Sequence, residues 1–345
     1  MPRSHNFPFL LPLLGFLSIV TVGGTSVGST EMDIPEPLSL PQALKYAERH
    51  PRIAEYANKT GLLPRPTPLY LNCHNLAYTQ IKGSDQNRNQ LSTVLIHPIK
   101  AQQLTIMQHY FDVLLSDLSF AHDNESMSIV FIALDRAKAR NELGQYSDLQ
   151  VAELNANYHN RRQQRAASET TQQLSRILLA QSIGHPKHLS RDLNPPKLAI
   201  IPTELPNIDH VLALAQKQNH WLKNLREKTH KDNQPLIDMR LRQQLYELLL
   251  QLQLLKIAEK RADADIAWRD LKLEYSRTLY EQEVKADLGN SMAQQTQAIF
   301  RKQQIIYCQN LTWSTLNALQ GKTVTLSSHK TSKSNKQKIT LDNTP

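Results

Sequence analysis

One short pattern occurs twice in this chain, as Glu142-Leu-Gly-Gln-Tyr-Ser-Asp148-Leu149 and as Glu281-Gln-Glu-Val-Lys-Ala-Asp287-Leu288. Glu142 pairs with Glu281 and Asp148 with Asp287, both 139 positions apart, and the register extends backwards through Leu134 with Leu273, Asp135 with Glu274 and Lys138 with Arg277. Such self-similarity at a fixed offset is the mark of a duplicated unit. The stretches before each copy are long and periodic. Leu104, Met107, Phe111, Leu114, Leu118 and Ala121 step by threes and fours, and the spacing resumes at Met127, Val130, Leu134 and Ala137. In the second copy Leu241, Leu245, Leu248, Leu252 and Leu255 step likewise, followed by Ala262, Ile266 and Leu273. Seam spacing near 3.5 sustained over this length predicts coiled-coil packing, with outgoing helices reaching roughly 65–70 Å at 1.5 Å per residue. The partners are expected to return from Asp148 to about Gly184 and from Asp287 to about Gly321.

The expected fold class is therefore mainly α: two repeats of a long antiparallel coiled-coil hairpin, with at most a small β-hairpin. Composition agrees. Only 10 Gly and 6% aromatic residues are present in 345 residues, thin for an α/β or all-β core, while Leu, Gln, Ala and Lys favour helix. A chain of elongated hairpins offers no obvious enclosed pocket, so its function is expected to lie in shape and assembly, not catalysis. Asp148 and Asp287 stand where a helix N-cap is wanted, since a carboxylate accepts from the orphan N–H groups and complements the helix dipole.

Shorter helices precede each long one. Ser39-Leu-Pro41 reads as a helix start interrupted by Pro51, and Asn207-Ile-Asp209 starts its counterpart, with Leu44 matching Leu212 and Ala47 matching Ala215. The first copy holds 29 more residues between its short and long helices, and this surplus falls near 61–97. It contains the one convincing strand-like run, Pro68 to Tyr78. The second copy offers only about a dozen residues there, Glu227 to Asp238, too few for membrane strands of roughly ten residues each. The chain thus divides into an expected leader (1–29), a first repeat (30–194), a Pro-rich linker (195–206), a second repeat (207–321) and a basic tail (322–345).

The leader reads as an export signal: Arg3 and His5 precede an apolar run from Phe7 to Val22, then small residues, with cleavage expected between about Gly24 and Thr30. The rival reading is a retained membrane anchor, which Pro8, Pro12 and Gly15 disfavour. Net charge is +9, but five lysines (322, 330, 333, 336 and 338) sit in the tail against Asp342, which speaks against nucleic-acid binding and for a solvated tail or contact with acidic lipid heads. An exported chain would expose Cys73 and Cys308 to an oxidising compartment, so a bridge must be considered. Measured along the hairpins, Cys308 lies roughly 35 Å from the second turn, and the start of the first long helix roughly 70 Å from its own. A bridge needs Cα atoms within about 7 Å and residues 61–97 folded back, so two free or buried thiols are expected.

Enzymatic signatures are thin. His185-Pro-Lys-His188 follows a helix stop with no carboxylate partner, Cys73-His74 lacks a third group to orient a base, and no phosphate loop or zinc spacing is found. No cofactor or metal is expected, and Trp221, Trp268 and Trp313 are expected in the core.

The order of these parts resembles the TolC-like outer membrane efflux proteins. The resemblance covers about residues 38–321, through Leu38-Ser-Leu-Pro-Gln-Ala-Leu-Lys-Tyr-Ala-Glu-Arg-His-Pro51, the repeat at 207–225 and the two turns. It implies a homotrimer forming a helical tunnel, exported to the periplasm and outer membrane of a Gram-negative bacterium, and passive passage of substrate within a tripartite efflux system. It also implies that a periplasmic membrane fusion protein and an inner-membrane transporter meet the tip at Gly144, Gln145, Tyr146, Ser147 and Asp148 and at Val284, Lys285 and Ala286. Glu281, Glu283 and Asp287 are the candidate acidic ring, favouring cations. Two departures stand out. The second acidic position of the family's ring is Asn290 here, and the basic residue four positions before Asp287 is replaced by Glu283. The family's four barrel strands per chain also have no room beyond one hairpin. A periplasmic scaffold or adaptor without a pore is the rival expectation.

Overall fold

The computed structural model describes residues 34–53, 67–78, 93–184, 192–282 and 288–324. The expected leader, the His185–His188 turn, residues 283–287 and most of the basic tail lie outside them. A short helix α1 (Leu40–Lys45) runs into a 3-10 turn at Tyr46–Arg49. After α2 (Cys73–Tyr78) and a second 3-10 turn at Thr93–Leu95 comes α3 (Pro98–Glu142), 45 residues long, paired with α4 (Asp148–Ile183) of 36. The second repeat has α5 (Ile208–Gln218), α6 (His220–Lys228), α7 (Gln234–Glu281) of 48 residues and α8 (Leu288–Leu319) of 32. Among the described residues the sole β feature is an isolated parallel bridge between Leu38 and Leu193. The fold is mainly α, with long helices in hairpin pairs.

The long helices contact one another in the order α4, α3, α8, α7. This is an open row of helices. Within the first hairpin Arg176 grips both oxygens of Asp117, at 2.9 and 3.0 Å, and Arg165 Nε donates to Asn124 at 3.0 Å. Within the second, Lys302 meets Asp263 at 2.6 Å and Gln309 donates to Glu259 at 2.8 Å. The hairpins join along α3 and α8, where Phe111 stacks on Tyr307 with centroids 4.3 Å apart and Thr296 donates to Glu125 at 2.9 Å. Closer to the turns a Cβ on Gly289 would lie 2.9 Å from the Ile129 side chain, so glycine lets the two hairpins approach. Because Ile129 faces Gly289, Glu142 at the end of α3 and Leu288 at the start of α8 lie at the same end of the row, Glu142 projecting past Leu288 by roughly 18 Å at 1.5 Å per residue.

The expected seams are buried in part: Leu114, Leu118, Met127 and Val130 on α3 and Ile266 on α7 are half-buried and Ala121 is exposed. Leu104, Met107, Phe111, Leu134 and Ala137 are buried on α3, and Leu241, Leu245, Leu252, Leu255, Ala262 and Leu273 on α7, with Leu249 taking the buried place expected of Leu248. The Trp expectation fails. Trp268 is 54% exposed, its ring covered by Arg269 and Lys272, while Trp221 and Trp313 are half-buried. The seam places Trp268 on the outer face of α7, opposite Leu273.

At the far end from the turns both repeats use the same joint. His50, at the break before Pro51, donates from Nε2 to the carbonyl of Gln181 at 3.0 Å and accepts Arg52 N–H at Nδ1, so its ring is neutral with the proton on Nε2. Burial lowers its pKa accordingly. Asn219, between α5 and α6, donates to Leu319 O at 2.9 Å and to Leu95 O at 3.2 Å. Each returning helix stops there on a left-handed glycine, Gly184 at φ 85° and Gly321 at φ 80°. Ala47 and Ala215, matched in sequence, are both fully buried.

The segment 67–78 departs from expectation twice. Pro68 to Tyr78 does not form a strand: after an irregular start its second half is α2. It also folds back along the hairpins and packs on α7 and α8, bringing Cys73 to Cys308 in a disulfide with Cα atoms 5.2 Å apart, so both cysteines are bonded. The expectation of free thiols rested on distance along each hairpin, and the condition it set for a bridge, a fold-back of the segment near 61–97, is met by residues 67–78. Asp112 supplies the anchor for that return, accepting from Leu69 N at 3.1 Å and Tyr70 N at 3.0 Å. The linker is pinned too: Tyr110 donates to carbonyls of Leu38 and Asn194, Asn310 accepts from Ala199 N at 2.8 Å, and Lys256 donates to Thr203 O at 2.8 Å.

Candidate tip and assembly edges

The first turn is built by local hydrogen bonds. α3 ends at Glu142, and Gly144 takes φ 70°, which lets its N–H reach Asn141 O at 2.8 Å and Gln145 N reach Arg140 O at 2.9 Å. Asn141 then spans the loop, donating to Tyr146 O at 2.8 Å and to the Asp148 carboxylate at 3.0 Å. The N-cap of α4 is Ser147, not Asp148. Ser147 Oγ accepts from Gln150 N and its own N–H donates to Gln150 Oε1 at 2.9 Å, a reciprocal capping box. Serine wins because its short side chain turns back onto the third residue, which leaves Asp148 in the first turn to complement the dipole and hold Asn141.

The surface of this tip is mixed. Leu143 and Leu149 are 72% and 78% exposed on either side of the loop, Arg140 lies over the Tyr146 ring, and Glu142, Gln145 and Asp148 face solvent. Of the second turn, Glu281 is the exposed last residue of α7, and Gln282 N closes it onto Thr278 O at 3.1 Å. Glu283, Val284, Lys285, Ala286 and Asp287 lie outside the described residues. Sequence reasoning found the tip loop through its duplication but missed the two leucines as its most exposed apolar groups.

The open edges of the row carry a second apolar pattern. On α7, Leu236, Met239, Tyr246, Leu250, Ile257, Trp268, Leu271 and Tyr275 are 41 to 73% exposed. Their spacing follows steps of three and four and sums of these, so they lie on one stripe separate from the seam buried against α8. On α4, at the other edge, Leu174 and Ile177 are also exposed. A helix with two apolar stripes is built to be sandwiched, and here α7 has one neighbour in the row. Among the described residues no helix is long and apolar enough to cross a membrane.

A further cluster was invisible in sequence. His109 and Asp112, one turn apart on α3, are fully buried, with Nδ1 and Oδ2 3.8 Å apart. Burial pushes the Asp112 carboxyl up to about 7 against the opposing pull of backbone N–H groups, and holds His109 down to about 4 with help from the Arg52 charge. His109 sits between the seam positions Met107 and Phe111 and Asp112 just after them, and segment 67–78 covers Asp112 through the Leu69 and Tyr70 N–H groups.

No protein-family model matches the chain, and no curated protein does. Among solved structures it is similar to CusC, studied for the conformational changes that accompany folding and transmembrane channel formation, at 10% identity and a TM-score of 0.52. That likeness covers 82% of this chain and 96% of that one, and shows a shared fold. A membrane protein from Pseudomonas aeruginosa is also similar, at 11% identity over 65% of this chain and 69% of the other, with a TM-score of 0.47.

Proposed function

We propose that the chain is a subunit of an outer-membrane-factor-like homotrimer, a helical conduit through which substrate passes down its gradient across the periplasm and outer membrane. The observation that carries this reading is the open four-helix row with an exposed apolar stripe along α7 at one edge and the exposed Leu174 and Ile177 on α4 at the other. Such a row cannot bury the α7 stripe within one chain, whereas copies placed side by side bury it against the α4 edge of the next and close into a ring. The fold shared with CusC supports it, since that protein forms a transmembrane channel. The disulfide supports an exported chain, because such bonds persist in oxidising compartments. In this reading the first tip, with Leu143, Tyr146 and Leu149, meets a periplasmic membrane fusion protein and an inner-membrane transporter that supplies the energy, and the chain performs no covalent chemistry. Native mass spectrometry of the detergent-solubilised protein and planar-bilayer recording test it together. A trimer with stepwise conductance is expected, and a monodisperse monomer that never conducts overturns it.

One observation favours a second reading, a periplasmic helical scaffold without a pore. In the second repeat α6 passes to α7 through residues 229–233, with one 3-10 turn and no strand. A trimer that fractionates with soluble periplasmic protein and does not conduct would select this reading.

A further inference from the structure

The contacts of Arg176 with Asp117, Tyr307 with Phe111 and Lys302 with Asp263 fix the relative levels of the four long helices. On that register α3 begins and α8 ends level with about Tyr246 of α7, and α4 ends level with about Ile257. Helix α7 itself begins at Gln234, so its first turns project past the other three long helices by roughly 18 Å at 1.5 Å per residue. Helix α6 lies beside them: Arg226 meets Asp238, and Gln234 Nε2 donates to Arg226 O at 3.2 Å. Residues 220–242 thus form an elbow at the end of the row remote from Glu281. The elbow has an apolar tip in a basic setting. Leu236 and Met239, one turn apart, are 60% and 68% exposed. Lys228 and Lys231 before them in the chain and Arg240 after them are exposed as well. Between residues 217 and 242 seven lysines and arginines stand against three acids, in a chain whose whole net charge is +9, and one of those acids, Asp238, is already held by Arg226. A neighbouring copy does not cover this tip. Cyclic symmetry carries no translation along its axis, so a neighbour's α4 ends level with about Ile257, roughly 30 Å short of Leu236, and covers only the later part of the α7 stripe.

We propose that the α6–α7 elbow is a docking surface for a bilayer that contains anionic phospholipids: Leu236 and Met239 enter the head-group boundary while the surrounding lysines and arginines meet the lipid phosphates. Charge and shape argue for this occupant together. Exposed apolar side chains at a projecting helix end gain burial at the boundary between head groups and acyl chains. Lysines and arginines beside them are drawn to a negative surface, and their long stems lie along the apolar layer while the charges stay among the head groups. The elbow thereby holds the end of the row against the membrane surface without crossing it. This inference is independent of the conduit reading, since one chain presents the elbow and neither a pore nor a trimer is required.

Hydroxyl-radical footprinting read by mass spectrometry on the full chain tests it, with Met239 as the reporter. Met292, 45% exposed on α8 and roughly 50 Å away along the row, is the internal control. Oxidation of Met239 is expected to slow by roughly 10-fold or more on vesicles of phosphatidylglycerol mixed with phosphatidylcholine, and to be unchanged on phosphatidylcholine alone. Met292 should oxidise at one rate throughout. The Lys228→Glu/Lys231→Glu variant should lose the protection and keep its helical circular dichroism, because both residues are exposed. Removing residues 325–345 should leave the protection in place, which separates the elbow from the lysines of the tail. Equal oxidation of Met239 with and without anionic vesicles overturns the proposal, and so does equal protection by phosphatidylcholine, since charge then plays no part. Protection that survives Lys228→Glu/Lys231→Glu, or that disappears with the tail, overturns it as well. Protection that is already complete before vesicles are added, and that follows trimer formation, assigns the tip to a second copy and overturns it equally.

Discussion

Asp112 is fully buried, and both of its oxygens accept from backbone N–H groups of the returning segment. Its folded pKa of about 7 stands above the ordinary carboxylate value because desolvation outweighs those hydrogen bonds. The folded state therefore binds its proton more tightly than the unfolded state, and the stability it contributes is complete at acid pH and lost as pH rises through 7. His109 works in the opposite sense. Held down to about 4, it costs stability as pH falls from 6.5 towards 4, because the unfolded chain then takes up a proton that the buried ring refuses. Subtracting one protein from another isolates the carboxylate, since His109 is common to both. Urea unfolding of wild type and Asp112→Asn from pH 6 to 8 should show the stability of wild type relative to the variant falling as pH rises. A difference that is constant over that range would show that the carboxylate does not titrate there. None of this was legible in the sequence, where a histidine and an aspartate on a long polar helix look like a solvated pair.

The long helices were legible as elements, because a 3-4 step repeated over ten positions leaves few other structures. Their ends were legible too, at Gly144, Gly184 and Gly321, where a positive φ is needed. What periodicity does not report is which side of a helix has a neighbour. Leu252 and Trp268 both fall on apolar positions of α7, yet the first is fully buried and the second is 54% exposed. Leu252→Ala should cost about 2–5 kcal/mol in chemical denaturation, through lost burial and the cavity left between α7 and α8. Trp268→Ala should change the stability of the isolated subunit by less than about 0.5 kcal/mol. The same substitution should lower the trimer fraction in native mass spectrometry, because its indole lies on the stripe assigned to the next copy. Equal stability losses in the two variants would place Trp268 in the core of the single chain and remove the α7 edge as an assembly surface.

For the molecule as a whole, Glu142, Glu281 and Leu288 lie at one end of the row and the two glycine-capped joints at the other, so the duplicated sequence becomes a duplicated polarity. An acidic mouth at the turn end is the functional expectation most exposed to test. In the assembled conduit Glu281→Lys combined with Asp287→Lys should shift the reversal potential in a salt gradient from cation towards anion preference, because a ring of copies places three or more like charges around one axis. The helical circular dichroism should be unchanged, since Glu281 is exposed at the end of its helix. Unaltered selectivity in a variant that still assembles would move the constriction elsewhere.

The sequence by itself determined the helical class, the duplication, the turn positions and the shortage of strands in the second repeat. Each of these is a local or periodic property, written in the order of apolar residues, glycines and caps. Only the tertiary structure decided that residues 67–78 return along the hairpins, that Cys73 meets Cys308, that Ser147 and not Asp148 caps α4, and that one apolar stripe of α7 faces α8 while another is left open. These depend on which surfaces are brought together across hundreds of residues and on small differences between competing contacts, and a pattern read along one chain carries no measure of either.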